Sequence, residues 1–167
     1  MAQIDPSLVK KEQLETFIGK GGLMHELVDL SKEQMESLYA VAFNLYQTNR
    51  MSEAEQVFKM LVLCDHLNVK YQIGLGATRQ AQGKYEEAAE TYSMATLIDA
   101  EEPKLAFHSG ECHLALGDLE RAEAGFTGTL VRCEGRDEYS ELATKAQGLL
   151  SIVEKRKKKQ EQTDVSK

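Results

Sequence analysis

The sequence has few cysteines, no long apolar run and no excess of positive charge, and each absence excludes a class of protein. Its three cysteines, Cys64, Cys112 and Cys133, are an odd number without CxxC spacing, which indicates neither a disulfide framework nor a zinc site. No apolar run approaches the roughly 20 residues that a bilayer-spanning helix needs. Residues 1–6 lack a basic segment followed by an apolar one, so no secretion signal is predicted. We therefore expect a cytoplasmic protein that does not insert into membranes.

The charge and composition describe a folded acidic domain. The net charge is −7, from 27 acidic and 20 basic side chains, which argues against nucleic acid as the main partner. Apolar residues make up 42% of the 167 residues and charged residues 28%, close to the averages of globular proteins. One compact domain spanning residues 1–167 is therefore expected.

A repeat of 34 residues, the tetratricopeptide period, organises the middle of the chain. Asn49, Gly83 and Gly117 fall in one column, where the first helix of each repeat must stop and reverse. Small residues and aromatic residues occupy further columns at the same spacing, as closely crossing helices require. These columns are Ala42, Gly76 and Gly110; Ala54, Ala88 and Ala122; and Phe58, Tyr92 and Phe126. The predicted fold class is all-α, three tandem tetratricopeptide repeats that form a right-handed solenoid.

The helix boundaries follow from the period and from local capping signals. Within residues 31–134, the repeats cover about 35–68, 69–102 and 103–134. Their helix pairs are predicted at 32–48 with 52–65, 69–82 with 85–99, and 103–116 with 119–132. Ser31 with Gln34 forms a predicted capping box, and Glu102-Pro103 places proline in the first turn of a helix.

The segments outside the repeats are predicted to cap both ends of the solenoid. Residues 1–30 form an N-terminal helical segment, with amphipathic stretches at 7–18 and 23–30. Residues 135–160 form a C-terminal capping segment with a helix at about 138–158. Residues 161–167 are predicted to be a disordered tail.

The first helix of each repeat lines the concave surface of such a stack, and an unusually apolar stripe runs along it. The stripe has helical spacings of three, four and three residues. Because other positions of the same helices already supply the packing, a second apolar face indicates a ligand, and an extended peptide suits such a groove. The alternative is that Tyr39, Phe43 and Phe107 pack against the terminal helices as core. The predicted peptide-binding residues are Tyr39, Phe43, Tyr46, Lys70, Ile73, Ala77, Gln80, Phe107, Glu111 and Leu114.

Several residues off the general repeat consensus resemble the class II chaperones of bacterial type III secretion systems, the low-calcium-response protein H group. The resemblance covers about residues 17–126. It rests on Gly21-Gly22, Leu38-Tyr39, Ala42-Phe43-Asn44, Tyr46-Gln47, Asp65-His66, Gly74-Leu75-Gly76-Ala77, Arg79-Gln80, Glu102-Pro103, Phe107-His108, Glu111-Cys112-His113-Leu114 and Leu116-Gly117-Asp118.

The resemblance implies that the protein binds a hydrophobic, pore-forming translocator in the cytoplasm of a Gram-negative bacterium. An extended N-terminal segment of the translocator would lie in the groove, with pocket walls from Tyr39, Phe43, Tyr46, Ile73 and Phe107. Members of the group also self-associate, and Met60 and Cys64 are candidates for an exposed contact between two copies. Groove positions that hold Lys and Asn in carboxylate-clamp domains are Tyr39 and Phe43 here, so an acidic C-terminal tail is a poor ligand.

Sharper chemical interpretations have less support. His108 and Cys112 are spaced to share a metal, but no second ligand cluster accompanies them, so no metal or cofactor is predicted. Gly19-Lys20-Gly21-Gly22 lacks the order of a phosphate loop, and no nucleophile or paired carboxylate indicates an enzyme. The basic run 155–159 is typical of a solvated helix end. A general tetratricopeptide scaffold in an unrelated assembly remains the alternative function.

Overall fold

A computed structural model describes residues 30–165, and within that range the chain forms helices and turns with no β-strand. The first three helices are α1 (Lys32–Gln47), α2 (Met51–Cys64) and α3 (Val69–Ala81). The next three are α4 (Tyr85–Thr96), α5 (Pro103–Leu116) and α6 (Leu119–Cys133), and a 3₁₀ turn (Asp137–Tyr139) leads into α7 (Ser140–Val165). Each helix packs on the next along the chain. The all-α repeat architecture predicted from the sequence is confirmed.

Local sequence signals account for where the helices begin and reverse. Ser31 and Gln34 form a reciprocal capping box, in which the Ser31 amide donates to Gln34 Oε1 at 2.7 Å. The turns after the first helices need a positive φ, which is 60° at Asn49, 74° at Gly83 and 79° at Gly117. Asparagine and glycine adopt this conformation at the lowest cost. Their recurrence every 34 residues is therefore explained by the backbone conformation of the turn.

The small and aromatic columns meet between neighbouring helices. A Cβ added at Gly76 of α3 would lie 2.5 Å from Cε1 of the Tyr92 ring in α4. The same relation recurs one repeat later, where a Cβ at Gly110 would lie 3.0 Å from the Phe126 ring. Tyr92 and Phe126 are fully buried. The missing side chain on one helix thus makes room for the ring on the other.

A buried carboxylate ties the first repeat to the second. Glu55 of α2 is 2.7 Å from Lys59 Nζ and accepts hydrogen bonds from Gln82 at 2.9 Å and Lys84 at 2.8 Å, while Arg79 Nε lies 3.5 Å away. Burial acts to raise the pKa of Glu55, but the contacts with Lys59, Lys84 and Gln82 outweigh it and lower that pKa to about 2. Glu55 is therefore ionised at neutral pH.

The last helix is longer than the sequence analysis predicts. It continues to Val165, so the boundary at 158 was too early and residues 161–165 are helical. Its polar end is rich in lysine, glutamine and glutamate, which have high helix propensity, and Glu161 lies close enough to Lys157 to act on it electrostatically. The predicted helices within 1–29, and residues 166–167 of the tail, lie outside the described residues.

Candidate peptide-binding groove

Aromatic side chains on α1 form one wall of the groove. Tyr39 and Phe43 stack with ring centroids 6.3 Å apart, and Tyr46 follows on the same face of the helix. The Phe43 side chain is 48% exposed, and the exposed part of its ring contributes nothing to the stability of the fold. Tyr39 and Tyr46 are partly buried against the core of the first repeat. Phe43 is therefore the large apolar side chain on this wall that is most available to a ligand.

Tyr39 belongs to both the groove and the core. Its ring centroid lies 5.9 Å from the rings of Phe58 and Tyr71, in the core of the first repeat. On its other side, Lys70 Nζ of α3 lies 3.8 Å from the ring centroid and 2.8 Å from a Glu36 carboxylate oxygen. The predicted site residue Lys70 is therefore engaged at the rim, where it links α3 to α1.

The middle of the groove contains a pocket that spans all three repeats. Its volume is about 430 Å³, and its walls include one aromatic side chain from the first repeat and the small residues of α3. Ile73 lies on α3 one helical turn before Ala77 and is partly buried. The pocket brings together four predicted site residues with three others; the lining is Tyr46, Ala77, Gln80, Ala81, Tyr85, His108 and Glu111.

Hydrogen bonds fix the polar side of this pocket. Gln80 Nε2 donates to Glu111 Oε2 at 3.2 Å, and His108 Nδ1 lies 2.9 Å from the same oxygen. The Tyr92 hydroxyl donates to Gln80 Oε1 at 3.1 Å, and its ring stacks on His108 with centroids 5.4 Å apart. The network holds the second and third repeats in register and fixes the orientation of the Glu111 carboxylate.

Electrostatics keep that carboxylate charged. Partial burial acts to raise the pKa of Glu111, but the hydrogen bonds from His108 and Gln80 outweigh it, and Lys145 of α7 adds a smaller effect in the same direction. The pKa of Glu111 is therefore below its usual value. Burial beside Glu111 raises the pKa of the Cys112 thiol to about 12, so Cys112 stays protonated in the core.

The stripe in the third repeat differs from the prediction. Phe107 is only 5% exposed, because α7 packs on α5 and α6 and covers it together with Phe126. Leu114 packs against the same cluster. For Phe107 the core alternative therefore holds, and the expectation that it forms an open pocket wall was wrong. The open part of the groove comprises α1, α3 and the polar face of α5.

The candidate contact between two copies is also revised. Cys64 is 6% exposed and lies in the core of the first repeat, one helical turn after Leu61, so the expectation of an exposed position was wrong. Met60 is 41% exposed. Of the two residues, Met60 alone presents substantial surface to a partner.

Two polar or aromatic residues of the central pocket were not predicted as site residues from the sequence. His108 was weighed as a metal ligand and Tyr85 was not among the predicted site residues, whereas both line the pocket. The signal for His108 is its spacing of three residues from Glu111, which places both side chains on one helix face.

A second depression lies among the second helices. It has a volume of about 730 Å³ and is lined mainly by α4, with contributions from α5 and α6. The concave groove is the stronger candidate for an extended chain, because its central pocket is lined from three repeats and the exposed Phe43 lies on the same face of α1 as the pocket residue Tyr46. No helix in residues 30–165 is long and apolar enough to cross a bilayer.

Comparison with known proteins places the chain among secretion chaperones. The sequence profile of the tetratricopeptide repeat family matches residues 35–66 and 70–102. Low calcium response locus protein H of Yersinia pestis is 35% identical over 144 residues, which are 86% of each chain. The Yersinia enterocolitica type III secretion translocator chaperone SycD is 36% identical, with a TM-score of 0.76 over 79% of this chain and 98% of that one. PcrH of Pseudomonas aeruginosa, solved in complex with the chaperone binding region of PopD, is 41% identical, with a TM-score of 0.75 over 77% of this chain and 96% of that one. The chain therefore belongs to the low calcium response protein H family of type III secretion chaperones.

Proposed function

We propose that the protein is a translocator chaperone, which binds an extended segment of a pore-forming translocator in its concave groove. The observation that carries the proposal is the exposed Phe43 ring beside Tyr39, in line with a pocket that crosses three repeats. SycD is a translocator chaperone by name, and PcrH was solved with the chaperone binding region of PopD. Family membership and the shape of the groove together favour a ligand of the same kind here.

The groove supports a simple mechanism of masking. An extended segment would place apolar side chains against Phe43 and Ile73 and in the central pocket, while polar groups of the groove meet its backbone. Hydrophobic client segments held on the chaperone are withheld from aggregation and from the producing cell's own membrane. Binding energy alone accomplishes this masking, so we assign no catalytic step to the protein and place it in the bacterial cytoplasm.

Co-expression with the translocators encoded in the same genome tests the proposal. The translocator should aggregate when produced alone and should copurify in a soluble one-to-one complex when this protein is present. Phe43→Glu should abolish the complex, because it places a charge in the apolar contact. Val131→Glu, at an exposed valine of α6 outside both pockets, is the matched control and should keep the complex.

The competing function is a general tetratricopeptide scaffold. Retention of other cytoplasmic proteins, with no translocator among them and no effect of Phe43→Glu, would support that alternative. The aromatic wall of α1 favours the chaperone, because a scaffold that binds charged tails needs cations at those groove positions.

A further inference from the structure

The central pocket has aromatic walls and a single carboxylate. An apolar peptide in this pocket would give that carboxylate no hydrogen-bond or charge partner. Among its lining residues, Glu111 is the one carboxylate, and lysine and arginine are absent from the set. The contacts from Gln80 and His108 both reach Oε2. Among the described side chains of residues 30–162, none donates a hydrogen bond to Oε1, which leaves that oxygen for a ligand.

Apart from His108, whose Nδ1 contacts Oε2, the nearby cations do not pair with this carboxylate. Lys145 of α7 acts on it only through space, since its ammonium is 2.6 Å from Glu141. At the other end of the groove, Lys70 and Glu36 pair with each other. A client that seals the groove would therefore bury the ionised Glu111 carboxylate with its Oε1 oxygen unpartnered, and burial of an unsatisfied charged oxygen opposes binding.

We propose that Glu111 selects a client segment with a lysine or arginine side chain over the central pocket. The Tyr46 and Tyr85 rings and the Ala77 methyl suit the aliphatic stem of such a side chain, while its cationic head reaches Glu111 Oε1. Gln80 and His108 act as positioning residues, since they hold the other carboxylate oxygen. The inference rests on the proposed function and adds a charge preference to the apolar groove.

A double-mutant cycle with a synthetic peptide tests the inference. The peptide is the N-terminal chaperone-binding segment of the translocator encoded with this protein, and each of its lysines and arginines is changed in turn to methionine. On the wild-type chaperone, one of these changes should weaken binding about tenfold, the scale of a hydrogen bond to a charged group. On Glu111→Gln, the same change should have no effect.

The controls separate this inference from the proposed function. Binding that is lost with Phe43→Glu but is equally strong for every lysine-to-methionine and arginine-to-methionine peptide would overturn the charge preference and leave the chaperone function intact. A merely structural role for Glu111 would lower the melting temperature of Glu111→Gln and weaken all peptides by the same factor. Failure of the unmodified peptide to bind in the groove would refute the proposed function itself.

Discussion

Phe43→Ala separates binding energy from folding energy in the groove. The ring is 48% exposed and contacts its neighbour Tyr39 by stacking, with centroids 6.3 Å apart. Removing it therefore takes away a surface that a client would cover, while most of the core of the first repeat stays intact. Tyr39→Ala would be a poorer probe, because its ring also contacts Phe58 and Tyr71.

The magnitude follows from the exposed area. About half of a phenylalanine side chain of roughly 200 Å² leaves about 100 Å² for a client to bury, worth about 2.5 kcal/mol at about 25 cal/mol per Å². That free energy corresponds to about 60-fold in the dissociation constant, an upper bound because part of it is offset by ordering of the ring and the client. We expect Phe43→Ala to weaken client binding by about 10- to 60-fold and to change the free energy of unfolding by under about 1 kcal/mol.

Isothermal titration calorimetry with the translocator peptide and urea unfolding of the free chaperone measure the two effects. Val131→Ala, which removes exposed apolar surface outside the groove, should change neither quantity appreciably. Unchanged affinity for Phe43→Ala would refute the assignment of the α1 wall as the binding surface. Loss of several kcal/mol of stability would show instead that Phe43 is part of the core.

Three further predictions concern the fold, and urea unfolding measures each. Gly76→Ala should destabilise the protein by about 1–3 kcal/mol, because its methyl group meets the ring across the helix interface. Gly148→Ala, with nothing within 4 Å of the added Cβ, should stabilise the protein by about 0.5–1 kcal/mol. Equal effects of the two substitutions would contradict the close contact between Gly76 and the Tyr92 ring. Glu55→Gln should cost about 1–2 kcal/mol at pH 7 after allowance for solvent screening of its partners. Since folding lowers the pKa of Glu55 from 4.5 to about 2, this difference should be present above pH 5 and disappear as the pH falls toward 2, whereas a constant difference would exclude a charge effect. Leu150→Ala should lower the free energy of unfolding by about 2–5 kcal/mol, because α7 packs on the third repeat through this side chain. The exposed Ile152 on the same helix should tolerate alanine. Equal costs of the two substitutions would contradict the face by which α7 packs on the repeat.

The fold could be predicted from the sequence because each repeat imposes local requirements that few residues meet. A positive φ selects Asn49, Gly83 and Gly117, and a close approach to an aromatic ring selects Gly76 and Gly110. Such requirements recur at every repeat, so a single sequence contains several independent copies of the signal.

The site residues could be predicted only where their position depends on the face of a single helix and not on contacts between helices. Tyr39, Phe43 and Tyr46 share a face of α1, and helical spacing alone places them together. Phe107 has the same spacing but is covered by α7, whose position on the third repeat is a tertiary contact that no local pattern contains. The role of His108 likewise depends on the preceding repeat. Its ring stacks on Tyr92, and it contacts the same Glu111 oxygen as Gln80.

Site-specific photo-crosslinking tests the central claim most directly. The photoreactive amino acid p-benzoylphenylalanine would replace Phe43 in one protein and Val131 in another, each co-expressed with the cognate translocator. The probe at position 43 should crosslink to the N-terminal segment of the translocator, and the probe at position 131 should not. A crosslink at position 131 with none at position 43 would contradict binding in the concave groove.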